Sequence, residues 1–290
     1  MKMMNKFIIG LKRNPIKLIV SIFITYSICW TILEPILGMV KSAEIHLVGG
    51  NKYIFLLLIS ICVGIYRVIP TNEISINYNN SKIKIVFGDL FQYEGFKAIP
   101  VSRFFFETEV VISSLQHIVI DKFYKNSEGL RGLENYKEKL SNALQDQQFE
   151  IVRREIFDQD EKYYKLGTTA FINLNENNEF LLFAITETEM RGHIPEKNCN
   201  STKMWVALEK FWDEARKHSR GKSINIPLIG SGITGINLSP IRILELNLLS
   251  ILNSITEKGK ITANEIRIIL HNNYFDQIDI SLIEKTWKTP

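Results

Sequence analysis

The chain has 290 residues, which suits one ordinary domain plus an appendage, and 46% of them are hydrophobic, ample for a core. The formal net charge is +4, and Lys2, Lys6, Lys12, Arg13 and Lys17 alone exceed it, so the rest is near neutral and offers no groove for nucleic acid. Cys29, Cys62 and Cys199 are the only cysteines, which excludes a disulfide framework and suits a reducing compartment.

Residues 1–17 read as a basic cytoplasmic leader without an acidic member, attractive to anionic lipid. Residues 18–40 form a 23-residue apolar run with one charge, Glu34. At about 1.5 Å per residue such a run crosses a hydrocarbon layer roughly 30 Å thick. Pro35 kinks or ends the helix near its far end. Residues 41–52 make a short external loop, and 53–69 a second apolar run interrupted only by Arg67, which snorkels to the interface. Trp30, Tyr53 and Tyr66 suit interfacial anchors. The length of the first run and the closeness of the second argue against a cleaved signal peptide. Two buried core helices are the competing reading. Lys41 and Lys52 of the connector are offset by Glu44, so the excess of Lys and Arg before the first run predicts a cytoplasmic N-terminus. Two crossings return residues 72–290 to the same side. Glu34 is a functional candidate as an intramembrane acid, or an interfacial residue at a helix end.

Past Pro70, residues 74–78 and 82–87 alternate around Asn79-Asn80, predicting a hairpin. Helices are predicted over 107–122 and 133–144, separated by a polar stretch at 125–132. Strands are predicted over 149–157, 168–174 and 180–186, with a turn at 175–178, while 190–201 reads as polar and irregular. Met204, Leu208, Phe211, Trp212 and Ala215 recur at helical spacing and predict a core face. Short buried strands at 223–229 and 265–270 bracket a helix from Pro240 to Thr256. That order favours a right-handed crossover in a mixed sheet covered by helices.

The first of those two strands runs into Ile-Pro-Leu-Ile-Gly-Ser-Gly-Ile-Thr-Gly-Ile, residues 226–236. Gly230, Gly232 and Gly235 open backbone angles closed to other residues, and successive N–H groups in such a loop cradle an anion. Ser239-Pro240 reads as an N-cap with proline at the first helical position. The glycine spacing fits GxGxxG, yet the helix starts too late for a dinucleotide fingerprint, and no Gly-Lys-Ser/Thr follows for a P-loop. A tight turn without ligand is the plain alternative.

Other constellations carry less. His193 and Cys199 lack a second pair at zinc spacing, so no metal is expected. Glu187 and Glu189 close a strand as solvated charge. Ser102, Ser231 and the five histidines show no spacing that marks a nucleophile with its base.

The 226–236 segment resembles the second phosphate-binding loop of macro domains, typically Pro-Leu-(apolar)-Gly-Thr/Ser-Gly-x-x-Gly. The family also has a strand ending in Gly-Asp and then one resembling Ala-Ile-Val-Asn-Ala-Ala-Asn. Here residues 83–87 lead into Gly88-Asp89-Leu90, and Lys97-Ala98-Ile99-Pro100-Val101-Ser102 follows. Tyr164-Lys165-Leu166-Gly167-Thr168-Thr169 resembles the family's Pro-Gly-(Asp/Glu) approach to a mid-domain strand. The implied fold is α/β: a macro-domain-like mixed sheet flanked by helices over residues 72–290, preceded by a two-helix transmembrane hairpin. The implied ligand is an ADP-ribose derivative, with no other cofactor. Asp89 and Leu90 would hold adenine, Ser102 the distal ribose, and Gly230, Ser231, Gly232, Ile233, Thr234, Gly235 and Ile236 the diphosphate. Ser231 would turn both its hydroxyl and its N–H to phosphate.

The chain departs from hydrolytic macro domains at Val101-Ser102-Arg103-Phe104, where they carry Asn-Ala-Ala-Asn, and it lacks the Gly-Gly-Val/Ile-Ala that follows. Binding without catalysis is therefore expected; a membrane-tethered ADP-ribosyl hydrolase and a passive ADP-ribose reader are the alternatives. Hairpin and domain together resemble the membrane effectors of type II Thoeris anti-phage defence. That resemblance implies a partner TIR-domain enzyme that makes histidine–ADP-ribose from NAD. It further implies homo-oligomers on activation, damage to the lipid bilayer and abortive infection, in a multi-pass protein of the inner or plasma membrane.

Overall fold

The structure, a computed structural model, describes residues 3–39, 51–105, 114–124, 132–154, 159–175, 178–186, 188–191, 194–197, 199–232 and 235–287. The chain divides into two compact units, Met1–Thr71 and Asn72–Pro290.

The first unit holds helices α1 (Met3–Arg13), α2 (Pro15–Met39) and α3 (Asn51–Val68). Most of the basic leader forms α1, and α2 begins at Pro15, ahead of the apolar run read from residue 18. Proline is well placed there, since its missing N–H falls among the unpaired donors of a first turn. Over Pro15–Pro35, 21 residues of mean hydropathy 1.9, α2 is long and apolar enough to cross a membrane. The apolar stretch of α3, Tyr53–Val68, is shorter. Between α2 and α3, Gly64 permits close approach: a Cβ there would lie 2.7 Å from Ile22 Cγ1. Trp30 and Tyr53, read as interfacial anchors, stack on each other at 5.1 Å. Gly10 of α1 is equally constrained, for a Cβ would lie 2.1 Å from the Val68 carbonyl oxygen.

The second unit is built on a seven-stranded sheet of β1 (Glu73–Tyr78), β2 (Ser81–Phe87), β3 (Phe96–Ser102), β6 (Thr169–Asn175), β7 (Asn178–Thr186), β10 (Ile224–Pro227) and β11 (Glu265–Leu270). Their spatial order is β1-β2-β11-β10-β3-β7-β6. The five central strands are parallel, and β1 and β6 run antiparallel at the edges. Asn79 and Asn80 turn the first hairpin at φ 43° and 59°. Two consecutive left-handed residues match the twist of the flanking strands.

Helices cover both faces. On one lie α6 (Ser201–His218), α7 (Pro240–Lys258) and α8 (Ile280–Trp287); on the other lie α4 (Leu115–Phe123) and α5 (Leu133–Ala143). Each face has its own apolar cluster, because strands covered on both sides must be apolar on both. The stripe Met204, Leu208, Phe211, Trp212 and Ala215 is fully buried. The Trp212 indole N–H donates to Ser250 Oγ at 3.1 Å.

The elements depart from the sequence reading at several points. The strand read over 149–157 is β4 (Phe149–Arg154), which pairs with β5 (Gln159–Tyr164) in a separate antiparallel ribbon, not in the sheet. Within the stretch read as irregular, 190–201, the described residues include paired strands: β8 (Thr188–Arg191) runs antiparallel to β9 (Ile194–Lys197), and Asn200 caps α6 by accepting from the Lys203 N–H. Of the helix read over 107–122, α4 starts after Ser114, whose hydroxyl accepts from the His117 N–H at 3.0 Å. Residues 107–113, 125–131, 155–157, 176–177 and the connector 41–50 lie outside the described residues, as do Glu187 and His193. Ser239 occupies the N-cap of α7, but its side chain makes no capping bond.

Replacing Trp212 with alanine is expected to cost about 3–5 kcal/mol, the range for emptying a buried aromatic site; chemical denaturation monitored by circular dichroism measures it. A second expectation concerns Glu265. Burial alone would raise its carboxyl, but hydrogen bonds from Lys82 and Arg267 outweigh that and hold it below the ordinary carboxylate range. Its contribution is present above the unfolded value of 4.5 and lost as pH falls through the lower folded value. Glu265→Gln should therefore lower the denaturation midpoint at pH 7 and converge with the parent protein once pH drops through that window.

Candidate ligand-binding site

A cavity of about 650 Å³ opens at the C-terminal ends of β2, β3, β10 and β11. Parallel pairing brings those four ends to one edge of the sheet, where ligands of α/β folds gather. The volume suits a small molecule.

The turn after β2 supplies Gly88, Asp89, Leu90 and Phe91. The Gly88 N–H donates to the Leu270 carbonyl at 2.9 Å, and a Cβ at Gly88 would lie 2.9 Å from the Tyr93 hydroxyl. Asp89 caps a 3-10 turn, Leu90–Gln92, with Oδ1 accepting from the Phe91 N–H at 3.0 Å. Its Oδ2 lies 3.9 Å from Lys122 Nζ, which also sits 5.0 Å above the Phe91 ring. Asp89 thus brings to the cavity lining a partly exposed carboxylate whose second oxygen lies near a cation. Leu90 is buried and contributes apolar floor. The opposite helix, α4, contributes Leu115, Ile118 and Lys122, one face at helical spacing.

Residues 227–232 after β10 form the glycine loop. Gly230 has φ +100°, and a Cβ there would lie 2.8 Å from Met204 Sδ and 3.0 Å from Ile236 Cδ1. Only glycine suits both the angle and the space. Gly232 is the reverse case: nothing lies within 4 Å of an added Cβ. Among the described residues no protein group accepts from the Gly230 or Gly232 N–H. Both glycines line the cavity, so the loop has main-chain donors to give a ligand.

The turn after β11 supplies His271, Asn273 and Tyr274. His271 Nδ1 accepts from the Asn273 N–H at 3.4 Å, and the Tyr274 hydroxyl donates to the Ser231 carbonyl at 3.3 Å. That second bond ties the two loops together.

The structure gathers Asp89, Leu90, Gly230, Ser231 and Gly232 around one cavity. Ser231, however, turns inward: its N–H and hydroxyl both donate to the Leu228 carbonyl, at 3.3 and 2.7 Å. The Gly235 N–H is likewise spent on the Gly232 carbonyl at 3.1 Å, at φ +64°. Ile236 folds under the loop into the core. Ser102 does not line the cavity. The β3 ladder bulges between Val101 and Ser102, and the Ser102 hydroxyl accepts from the Phe104 N–H in a tight turn. Ile233 and Thr234 lie outside the described residues.

Sequence spacing gave no sign of Lys122, His271, Asn273 or Tyr274. The last three could have been found by asking which residues directly follow the predicted strand at 265–270. Lys122 could not, because α4 reaches the site only through packing.

A family profile described as "Thoeris protein ThsA, Macro domain" matches residues 83–271. No curated protein matches the chain. Among solved structures, an Oceanobacillus iheyensis macrodomain mutant aligns with TM-score 0.47 and 14% identity over 74% of this chain and 100% of that one. The Oceanobacillus iheyensis macrodomain with ADP gives 0.46 and 13% over 73% and 97%. A Trypanosoma brucei macrodomain in complex with ADP-ribose gives 0.38 and 11% over 69% and 68%.

The two loop glycines should separate in mutagenesis. Gly230→Ala is expected to destabilise the fold by about 1–3 kcal/mol, the cost of a side chain held at an unfavourable backbone angle. Gly232→Glu should leave the melting temperature unchanged in differential scanning fluorimetry.

Proposed function

Because the chain belongs to the Thoeris ThsA macro-domain family, we propose that residues 72–290 bind an ADP-ribose-derived signal and that residues 1–71 make the protein a membrane effector of anti-phage defence. One observation supports the ligand reading above all: Gly230, Gly232 and Asp89 line one cavity with an apolar floor, and the two glycine N–H groups have no acceptor among the described residues. The diphosphate lies on the glycine loop, where neutral main-chain donors hold an anion without a buried counter-charge. Adenine takes the Asp89 end, its amino group replacing Lys122 as partner of Oδ2. The signal is histidine–ADP-ribose made by a TIR-domain partner. The protein binds it and does not hydrolyse it.

The membrane half of the proposal rests on α2, whose exposed Ile16, Phe23, Ile28 and Ile32 suit lipid contact. In this reading α3 crosses as well, and the N-terminus and residues 72–290 face the cytoplasm. Signal binding drives copies to associate and the bilayer to fail. Ligand drives that step only by preferring the assembled state. A hundredfold preference is worth about 2.7 kcal/mol per protomer, and it accumulates across an oligomer.

Calorimetric titration of the purified chain in detergent with ADP-ribose, NAD and synthetic histidine–ADP-ribose tests the ligand reading. The conjugate is expected to bind most tightly, and Gly232→Glu to abolish its binding without unfolding the protein. Equal affinity for plain ADP-ribose would point to a passive reader, and absence of binding by all three would sink the proposal.

A further inference from the structure

Resting on this ligand reading, we infer that Asn247 is the positioning residue that aims the Gly230 N–H into the cavity. Asn247 lies on α7 beneath the glycine loop and is fully buried. Its amide nitrogen donates to the Ile229 carbonyl at 2.9 Å and to the Ile243 carbonyl at 2.7 Å. Two carbonyl partners use both amide hydrogens and fix which end of the side chain is nitrogen.

The consequence follows from peptide geometry. In a planar trans peptide the C=O of one residue and the N–H of the next point in opposite directions. The Ile229 carbonyl is drawn inward to α7, so the Gly230 N–H is turned away from the helix. Gly230 lines the cavity, and its N–H has no acceptor among the described residues. The side chain of Asn247 never reaches the ligand, yet it decides where that donor points.

The position is otherwise a poor one for asparagine. Its neighbours on the same helix face, Ile243, Leu244, Leu248 and Ile251, are buried and apolar. Asn247 Oδ1 is itself buried without a hydrogen-bond partner. A buried orphan acceptor costs stability that an apolar residue of similar size would not. What the chain gains for that cost is a fixed Ile229–Gly230 peptide.

The test compares the full chain in detergent with its Asn247→Leu variant, using ADP-ribose by calorimetry and adenosine by ligand-observed NMR. ADP-ribose affinity should fall about tenfold or more, the scale of one hydrogen bond to a charged group. Adenosine, which has no diphosphate, should bind unchanged, and the melting temperature should hold or rise. Should leucine prevent folding, Asn247→Ala carries the same comparison. Unchanged ADP-ribose affinity would overturn the role of Asn247 while leaving the proposed function intact. A parallel loss of both ligands would reduce Asn247 to a structural residue. A parent protein that binds neither of them nor histidine–ADP-ribose would remove the function and this inference together.

Discussion

The site depends on one constraint: β2, β11, β10 and β3 pair in parallel, so their C-terminal ends fall along one edge. Three turns and one helix face then converge there although they are far apart in sequence. Gly88 is held at the rim by the Leu270 carbonyl, a bond between the ends of neighbouring strands. β10 is only four residues long, yet it sits between β11 and β3 and delivers the glycine loop to the middle of the edge. Parallel strands need both faces covered. The same pairing therefore requires α6 and α7 on one side and α4 on the other, and α4 completes the wall of the cavity.

Electrostatically the site is mixed. Asp89 and Lys122 face each other at one end, while the glycine loop offers only main-chain dipoles. Buried charge is expensive unless paired, so dipoles are the cheaper means of holding an anion that arrives with its own charge. The floor between is apolar, with Leu90, Ile118 and Ile269. Such a cavity suits a long molecule with a polar head, an anionic middle and little else that needs solvent.

Much of this was legible in the sequence where a local rule applied. The Asn79-Asn80 hairpin, the buried stripe of α6 and the strand–loop–helix around Gly230 were each written in a few adjacent residues. The ribbon of β4 and β5 was not, because Gln-Asp-Glu-Lys-Tyr-Tyr in β5 has no apolar alternation and is fixed by its partner strand and by distant contacts such as that of the buried Tyr164 with Phe105. Helix α1 was hidden by its lysines, which read as charge before they read as a helix face. Within the site, Gly230 was visible because its position needs a particular backbone shape, and Asp89 through the resemblance of Gly88-Asp89-Leu90 to the macro-domain pattern. Ser102 stands apart from the cavity because a bulge and a turn engage its hydroxyl, and Ser231 lines it with its donors engaged by the Leu228 carbonyl. Neither a bulge nor a competing acceptor leaves a mark on residue spacing.

The contrast between the two loop glycines bears on how this protein can diverge. Gly230 is closed on three sides by Met204, Ile236 and Ile243, and its backbone angle excludes other residues besides. Gly232, two positions on, is open. Lineages can replace Gly232 with larger residues one substitution at a time, with the fold indifferent to the choice. The anchor beneath it stays fixed, so among the two described glycines of the loop change is channelled into the permissive one at the mouth of the cavity.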